Sequence, residues 1–212
     1  MKFAKNDSLM TDYIRFFIPA YFTLFFVIAF LGISIKVARR IGKNPIVFPK
    51  DDTAYACIGR YFKITLLTLF GYTVIIAWIP DQMQQSCIIS FLNIPIVKYI
   101  GIALMISALI WTVTAQVQMK DSWRIGIDQD AKTRLIIHGL FRFSRNPIFL
   151  GVTVSLVGFF LLFPTLIAFL FLTTGSLLMQ IQIRLEEEYL VKQHGQIYLA
   201  YKKRVARMLS LY

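Results

Sequence analysis

Five long runs of apolar residues alternate with polar segments along the 212-residue chain. They cover about Phe16–Ile35, Ile64–Ile79, Val97–Val117, Ile148–Phe163 and Thr165–Ile183. Most approach the ~20 apolar residues that a helix needs to cross the hydrocarbon core of a bilayer. The pattern therefore predicts an all-α membrane protein with about five transmembrane helices.

Pro164 alone separates the last two apolar runs. A proline disfavours helix in the residue before it and can begin the next helix, so these runs are predicted to form a tight helical hairpin. The first arm is slightly short for a full crossing, and we expect a tilted or thinned passage there. Because a hairpin returns the chain to its starting side, its two ends should be neighbours in space.

Basic residues are concentrated in three segments: the one that follows the first run, the loop Lys120–Ser144, and the tail after Ile183. With five spans, all three fall on the same side of the membrane, whereas Asp81–Ile96, which has no lysine or arginine, falls on the other. The positive-inside rule then predicts an external N-terminus and a cytoplasmic C-terminus, in the inner or plasma membrane if the protein is bacterial.

Composition agrees with this class. Hydrophobic residues make up 57% of the chain and charged residues 16%, whereas a soluble domain carries about a quarter charged residues. The net charge of +12 follows from the basic segments between the spans, so no nucleic-acid partner is expected. Two cysteines and two histidines, none with ligand spacing, predict no metal site.

The tail after the last run is predicted to remain helical as far as His194 and Gly195, where glycine is a natural helix stop. Beyond it, apolar residues recur at helical spacing among lysines and arginines; they are Ile197, Tyr201, Val205 and Leu209. This pattern predicts a basic amphipathic helix that lies on the inner leaflet or packs across the preceding loop.

A polar, basic stretch at His138–Arg145 turns abruptly into the fourth apolar run. Asn146 can cap a helix, and Pro147 suits its first position. Arg145, just outside this helix start, would join the helix dipole in attracting a carboxylate or phosphate. The alternative is that Arg142 and Arg145 only hold the helix at the level of the lipid headgroups.

The other end of the hairpin carries Arg184 and the acidic run Glu186–Glu188. Three consecutive glutamates span most of a helical turn, so at least one should face Arg145 or a ligand. Alternatively, Arg184 pairs with Glu188 and the acidic side chains lie in water. The first arrangement predicts a polar pocket, with an arginine and carboxylates, at the cytoplasmic membrane face.

Three motifs in the C-terminal half resemble the isoprenylcysteine carboxyl methyltransferase and phospholipid methyltransferase superfamily. They are Gly139-Leu-Phe-Arg-Phe-Ser-Arg-Asn-Pro-Ile-Phe-Leu-Gly151, Glu186-Glu187-Glu188-Tyr-Leu190 and Gly195-Gln-Ile-Tyr198-Leu-Ala-Tyr201. The resemblance covers roughly Ser122–Leu209, and the first three spans share only their apolar character. It divides the chain into a three-span region, 1–118, and a cofactor-binding methyltransferase region, 119–212.

The resemblance implies a methyltransferase that uses S-adenosylmethionine. It implies a cofactor pocket formed by His138, Gly139, Leu140, Phe141, Arg145, Asn146, Pro147, Gly151, Glu186, Glu187 and Tyr198. In this interpretation Arg145 and Asn146 anchor the polar end of the cofactor, and Gly139 and Gly151 allow close approach. Glu186 and Glu187 serve the cofactor or the acceptor, and Arg184 and Glu187 are the candidate catalytic residues.

The methyl acceptor stays open between a lipid and a small molecule. Asn146 stands where the carboxyl methyltransferases commonly have histidine, which weakens the case for a carboxylate acceptor. Two alternatives remain: an NADPH-dependent membrane reductase of the steroid or sterol reductase type, and a non-catalytic membrane scaffold. The sequence does not fix the oligomeric state.

Overall fold

The computed structural model describes residues 2–46, 53–78, 88–124 and 134–209, with side chains from Tyr13 onward. The helices in these ranges are α1 (Lys2–Phe25), α2 (Ile33–Ile41), α3 (Ala54–Trp78), α4 (Pro95–Met119), α5 (Pro147–Leu162), α6 (Leu166–His194) and α7 (Gln196–Arg204). A π-helical turn, Phe26–Gly32, joins α1 to α2. The described ranges contain no β-strand, and an isolated bridge joins Ile88 to Thr165, so the predicted all-α fold is confirmed.

Among the described residues, four helical stretches are long and apolar enough to cross a membrane: Tyr13–Ile41, Ala54–Trp78, Pro95–Ser122 and Leu166–His194. The fifth apolar helix is α5, whose 16 residues span about 24 Å at 1.5 Å per residue, less than the ~30 Å hydrocarbon core. Many large apolar side chains on these helices are exposed, which is expected where lipid is the solvent. The chain is an integral membrane protein.

The helices are longer than the apolar runs that predicted them. Helix α3 begins at Ala54 rather than near Ile64, so Arg60 and Lys63 lie inside the helix. Their long side chains can carry charge away from an apolar helix surface, so they do not end it. The predicted end of this span at Ile79 and the segment 81–87 lie outside the described residues.

The core lies between α1, α3, α4, α5 and α6, and Ile18, Met105 and Phe159 have no exposed surface there. Helices α4 and α5 pack closely at two glycines. A Cβ built on Gly101 would lie only 2.7 Å from the carbonyl oxygen of Gly158, so a larger residue would not fit. Small residues commonly allow such close contact in membranes. The packing joins α4 to the C-terminal helices, and the division of the chain at residue 118 stays a prediction.

The helical hairpin is confirmed. Helix α5 ends at Leu162 and α6 begins at Leu166, where the Thr165 side chain accepts a hydrogen bond of 3.1 Å from the Ala168 amide. The hairpin brings the last third of α6 back to the start of α5. The polar groups at its two ends are consequently in contact.

The tail differs from its prediction in extent and in orientation. Helix α7 ends at Arg204, so Val205 and Leu209 do not continue it. Its buried residues are Tyr198 and Tyr201, whereas Ile197 is 68% exposed. The Tyr201 hydroxyl donates a 2.6 Å hydrogen bond to the carbonyl oxygen of Phe141, so the helix packs on the loop before α5.

Candidate functional site

A buried carboxylate connects the two ends of the hairpin to the tail. Glu187, on α6, lies 2.9 Å from Arg145, 3.0 Å from Arg207 and 3.5 Å from Lys202. Arg207 binds both carboxylate oxygens through its Nε and Nη2 atoms. The predicted contact between Arg145 and the acidic end of the hairpin is therefore confirmed, and Glu187 is the glutamate that makes it.

Arg145 and Glu187 form the most buried pair of this cluster, with side chains 7% and 3% exposed. Burying a charge is costly unless it is paired and hydrogen-bonded, and this carboxylate meets both conditions. Arg207 and Lys202 are about a third exposed, so solvent weakens their contribution. The hydrogen bond to Glu187 raises the pKa of the Arg207 guanidinium.

The chain after α7 crosses the start of α5 through backbone contacts. The Arg145 amide donates to the carbonyl oxygen of Ala206 at 3.0 Å, and Arg145 Nη1 donates to that of Lys202 at 2.8 Å. Asn146 Nδ2 donates to the carbonyl oxygen of Arg207 at 3.0 Å. We call this segment, Lys202–Arg207, the strap.

Asn146 occupies the N-cap position of α5, and Pro147 stands at the start of the helix as predicted. The side chain makes no capping hydrogen bond, so the predicted capping role of Asn146 was wrong. The amide group is used instead to hold the strap. Asn146 thus connects the start of α5 to the tail, and a local helix signal could not reveal this long-range partner.

Two buried tyrosines of α7, Tyr198 and Tyr201, lie close to the ion cluster. Their rings pack together with centroids 6.0 Å apart. Burial raises the pKa of the Tyr198 hydroxyl, and the nearby Glu187 carboxylate raises it further. Burial likewise raises the pKa of the Tyr201 hydroxyl. Both hydroxyls therefore stay protonated at neutral pH and can donate hydrogen bonds.

A cavity of about 460 Å³ opens beside this cluster. Some of its lining residues are polar or carry a hydroxyl; they include Tyr55, Lys63, Ser122, Arg124, Arg134, Arg145, Asn146, Gln182, Glu186, Tyr198 and Tyr201. Others are apolar; they include Phe26, Phe30, Leu31, Phe62, Leu66, Met119, Ile148, Phe149 and Val152. One space thus offers both a polar and an apolar environment to a ligand.

Six of the residues that the sequence analysis assigned to the site line the cavity: Phe141, Arg145, Asn146, Pro147, Glu186 and Tyr198. Among them, Glu186 accepts a 2.9 Å hydrogen bond from Gln182, and both side chains line the cavity. Glu186 and Glu187 therefore have different surroundings, because Glu186 faces the cavity and Glu187 faces the three cations.

The other assigned residues lie outside the cavity lining. A Cβ built on Gly139, where φ is +61°, would overlap the Gln118 side chain, and one on Gly151 would overlap Thr112. These glycines permit close approach of α4, rather than exposing backbone to the cavity. Leu140 contributes its amide, which donates to Gln118 Oε1 at 2.8 Å.

The two remaining assignments have less support from the geometry. His138 precedes the short 3₁₀ turn Gly139–Arg142 and does not line the cavity. Arg184 is exposed and donates a hydrogen bond to the carbonyl oxygen of Gln180 at 2.7 Å. It therefore contacts Gln180 rather than Glu188, the partner that the alternative interpretation gave it. Arg184 is two residues from both Gln182 and Glu186, so it lies on nearly the opposite face of α6 from the cavity.

Sequence reasoning missed the part of the wall that comes from the first three spans. Ser34, Tyr55, Lys63 and Gln116 all line the cavity, and none belongs to a recognised motif. A signal existed for Gln116, since a polar amide within a long apolar span is costly unless it serves a function or a contact. The α1 and α3 contributions depend on how these helices pack against α5 and α6.

The fold and the cavity define a polytopic all-α membrane protein with a candidate ligand site at the open end of its helical hairpin. Residues 96–197 match the model of the phospholipid methyltransferase family. That family lies within the superfamily that includes the isoprenylcysteine carboxyl methyltransferases, so the predicted resemblance is confirmed over these residues. A search of curated proteins gives no significant match.

The matched region runs from α4 into the first residues of α7. It contains both ends of the hairpin, with Arg145 and Glu187, and it ends before the strap. The match supports a membrane methyltransferase, and it begins earlier in the chain than the motif resemblance, which starts near Ser122. It thereby includes α4, the helix that packs most closely on α5.

Proposed function

We propose that the protein is an integral-membrane methyltransferase that uses S-adenosylmethionine to methylate a lipophilic or small acceptor. The observation that carries this proposal is a cavity lined by both charged or polar residues and large apolar residues. The family match supports the reaction class, for which S-adenosylmethionine is the general methyl donor. The apolar lining residues fit an acceptor that arrives from the bilayer.

The cavity-lining residues fit the proposed cofactor. The cavity has a volume of about 460 Å³, which lies within the range of ~300–1,000 Å³ usual for small-molecule sites. Arg145 Nε is buried without a hydrogen-bond partner, although the two other guanidinium nitrogens are occupied. A carboxylate placed there would satisfy Nε, and the Glu186 carboxylate suits an ammonium group or a ribose hydroxyl.

The chain's own groups would act by positioning and by excluding water. When bound, S-adenosylmethionine supplies an electrophilic methyl group on a sulfonium. Glu187 keeps Arg145 fixed, and Arg145 and Asn146 hold the strap across the start of α5. A closed, dry site favours the approach of an anionic or neutral nucleophile to a cationic donor, because charge interactions strengthen in low dielectric.

Within this proposal, Arg145, Asn146, Glu186 and Tyr198 would contact the cofactor, and Glu187 is a positioning residue. Nothing in the geometry favours Arg184 as an orienting residue for an anionic acceptor. The basic loops and the site would face the cytoplasm, where the cofactor is available. Labelling single cysteines introduced at residues 43 and 203 from either side of the membrane would test that orientation.

The decisive test is ligand specificity of the purified protein in detergent. S-adenosylhomocysteine should raise the melting temperature, and NADPH should not, because the family match favours a methyltransferase over the reductase alternative. Glu186→Gln should weaken the response, whereas Glu188→Gln, on the exposed side of α6, should keep it. Stabilisation by NADPH alone would refute the proposal, and a response to neither ligand would favour the scaffold.

A second experiment identifies the acceptor. Membranes from the native source are incubated with the protein and S-adenosylmethionine that carries a radiolabelled methyl group, and the labelled product is extracted and characterised. A labelled lipid or small hydrophobic molecule is expected. Asn146→Ala protein should transfer less label at equal protein concentration.

A further inference from the structure

Two buried polar side chains in the lining of the cavity have an atom without a hydrogen-bond partner. They are Ser34, on α2, and Gln116, on α4, which are 8% and 4% exposed and both line the cavity. The unpartnered atoms are the hydroxyl oxygen of Ser34 and the side-chain oxygen of Gln116. Buried polar groups are nearly always hydrogen-bonded, so this pair needs an explanation.

The orientation of the Gln116 amide is determined by its one protein contact. Its Nε2 atom donates a 2.8 Å hydrogen bond to the carbonyl oxygen of Ala29, inside the π-helical turn. A carbonyl oxygen can only accept, so the nitrogen must occupy this position and the oxygen is the atom left over. The free atom is consequently an acceptor, and it requires an N–H or O–H donor from elsewhere.

The segment of α4 that carries Gln116 packs against the start of α5. Trp111 Nε1 donates to the carbonyl oxygen of Pro147 at 2.9 Å, and Gln118 accepts from the Leu140 amide. Met119 packs in the same apolar cluster as Ile148. Gln116 therefore lies on the part of α4 that packs beside the start of α5, where Arg145 and Asn146 also line the cavity.

Thr112 provides a comparison on the same helix. Its hydroxyl is also buried and unpartnered, but it packs against Gly151 and does not line the cavity. Ser34 and Gln116 differ because a ligand in the cavity can reach them. Two unpartnered polar atoms in the lining of one cavity are expected where a bound ligand supplies the missing hydrogen bonds.

We propose that Gln116 and Ser34 form a hydrogen-bonding subsite for the methyl acceptor, and that this acceptor carries an O–H or N–H donor on an apolar chain. The inference rests on the proposed function and specifies its acceptor class. Gln116 accepts the donor hydrogen, and the Ser34 hydroxyl can accept or donate beside it. A carboxylate acceptor is disfavoured, because its oxygens would face the Gln116 oxygen without a hydrogen between them.

The test compares two probes that differ by one donor: 1-dodecanol and 1-methoxydodecane. The affinity of each is obtained from the concentration dependence of thermal stabilisation, with the full chain in lipid nanodiscs. The wild-type protein should bind the alcohol about tenfold more tightly than the ether, because a site built around a hydrogen bond rejects the analogue that lacks the donor. Comparable affinities, or no binding of either probe, would overturn the subsite.

Three variants locate the preference. Gln116→Met and Ser34→Ala should reduce the alcohol-to-ether ratio towards one, and Thr112→Val should leave it unchanged. Ser34→Ala keeps the contact between Gln116 and Ala29, so it decides the matter even if Gln116→Met fails to fold. A ratio that stays high in Ser34→Ala and in any folded Gln116→Met protein would refute the assignment.

S-adenosylhomocysteine binding in the same nanodiscs separates this inference from the proposed function. All three variants should retain it, since neither subsite residue belongs to the proposed cofactor contacts. If the wild-type protein binds S-adenosylhomocysteine but does not prefer the alcohol to the ether, the subsite alone is refuted. An alcohol preference without any S-adenosylhomocysteine response would refute the methyltransferase and leave a lipid-binding subsite.

Discussion

Glu187→Gln would remove the carboxylate on which Arg145, Lys202 and Arg207 converge, while it preserves side-chain size. The shortest contact, 2.9 Å to Arg145, is also the most buried. At an effective dielectric constant of about 20, two unit charges ~3 Å apart attract by ~5–6 kcal/mol before desolvation is counted. Removing one partner of a buried pair costs about 3–5 kcal/mol, because the other charge stays buried without compensation.

This loss should appear mainly as release of the strap. Arg207 binds Glu187 directly, and Lys202 and Ala206 are held by Arg145, which Glu187 keeps in place. With ~1.4 kcal/mol for each factor of ten, a cost of about 3 kcal/mol raises the open fraction of the strap by about a hundredfold. Limited trypsin digestion followed by mass spectrometry measures that fraction, since the strap contains several lysines and arginines.

Glu188→Gln is the matched control, because it makes the same chemical change at the neighbouring, exposed position. It should leave the cleavage rate of the strap close to that of the wild type. If Glu187→Gln protein is cleaved no faster than Glu188→Gln protein, the ion cluster does not hold the strap. In the double variant Glu187→Gln with Arg145→Met, the melting temperature should be partly recovered, because the buried charge has been removed as well. The strap should still be cleaved faster than in the wild type, because the contact between Arg145 and Lys202 is lost.

Two further substitutions test the packing around the site by thermal unfolding in detergent. Tyr201→Phe removes the hydrogen bond to Phe141 and should lower the stability by about 1 kcal/mol, whereas an unchanged melting temperature would mean that α7 is held by other contacts. Gly151→Ala should cost about 1–3 kcal/mol, since the added methyl group would overlap Thr112. Gly71→Ala is its control: a Cβ there meets nothing within 4 Å, so the substitution should be neutral or stabilising, and equal effects at the two glycines would contradict the helix contact.

The sequence could predict that a cation and an acid meet at the ends of the hairpin. Pro164 marks the reversal, and the charged residues on either side lie where the apolar runs stop. It could not predict which glutamate makes the contact. Glu186 and Glu187 are neighbours on one helix turn, and the rotation of α6 against α5 decides that Glu187 meets Arg145 while Glu186 faces the cavity.

The local signals were reliable for elements and less so for side-chain partners. Pro147 begins α5 as its chemistry favours, but the Asn146 amide binds the strap, whose position is known only after the tail has packed. Likewise, the apolar spacing that continued to Leu209 predicted a longer tail helix. The helix ends at Arg204, where the chain turns to make its contacts with Arg145 and Asn146.

The length and order of the apolar runs were enough to predict the membrane class, the all-α fold, the hairpin and the polar region at its open end. Which helix faces form the cavity, with Ser34 and Gln116 among its lining residues, became known from the packing of the helices. The sequence does not reveal these faces because lipid and protein core are both apolar. A membrane helix therefore has weak amphipathicity, and its rotation is set by close packing against its neighbours rather than by a readable hydrophobic face.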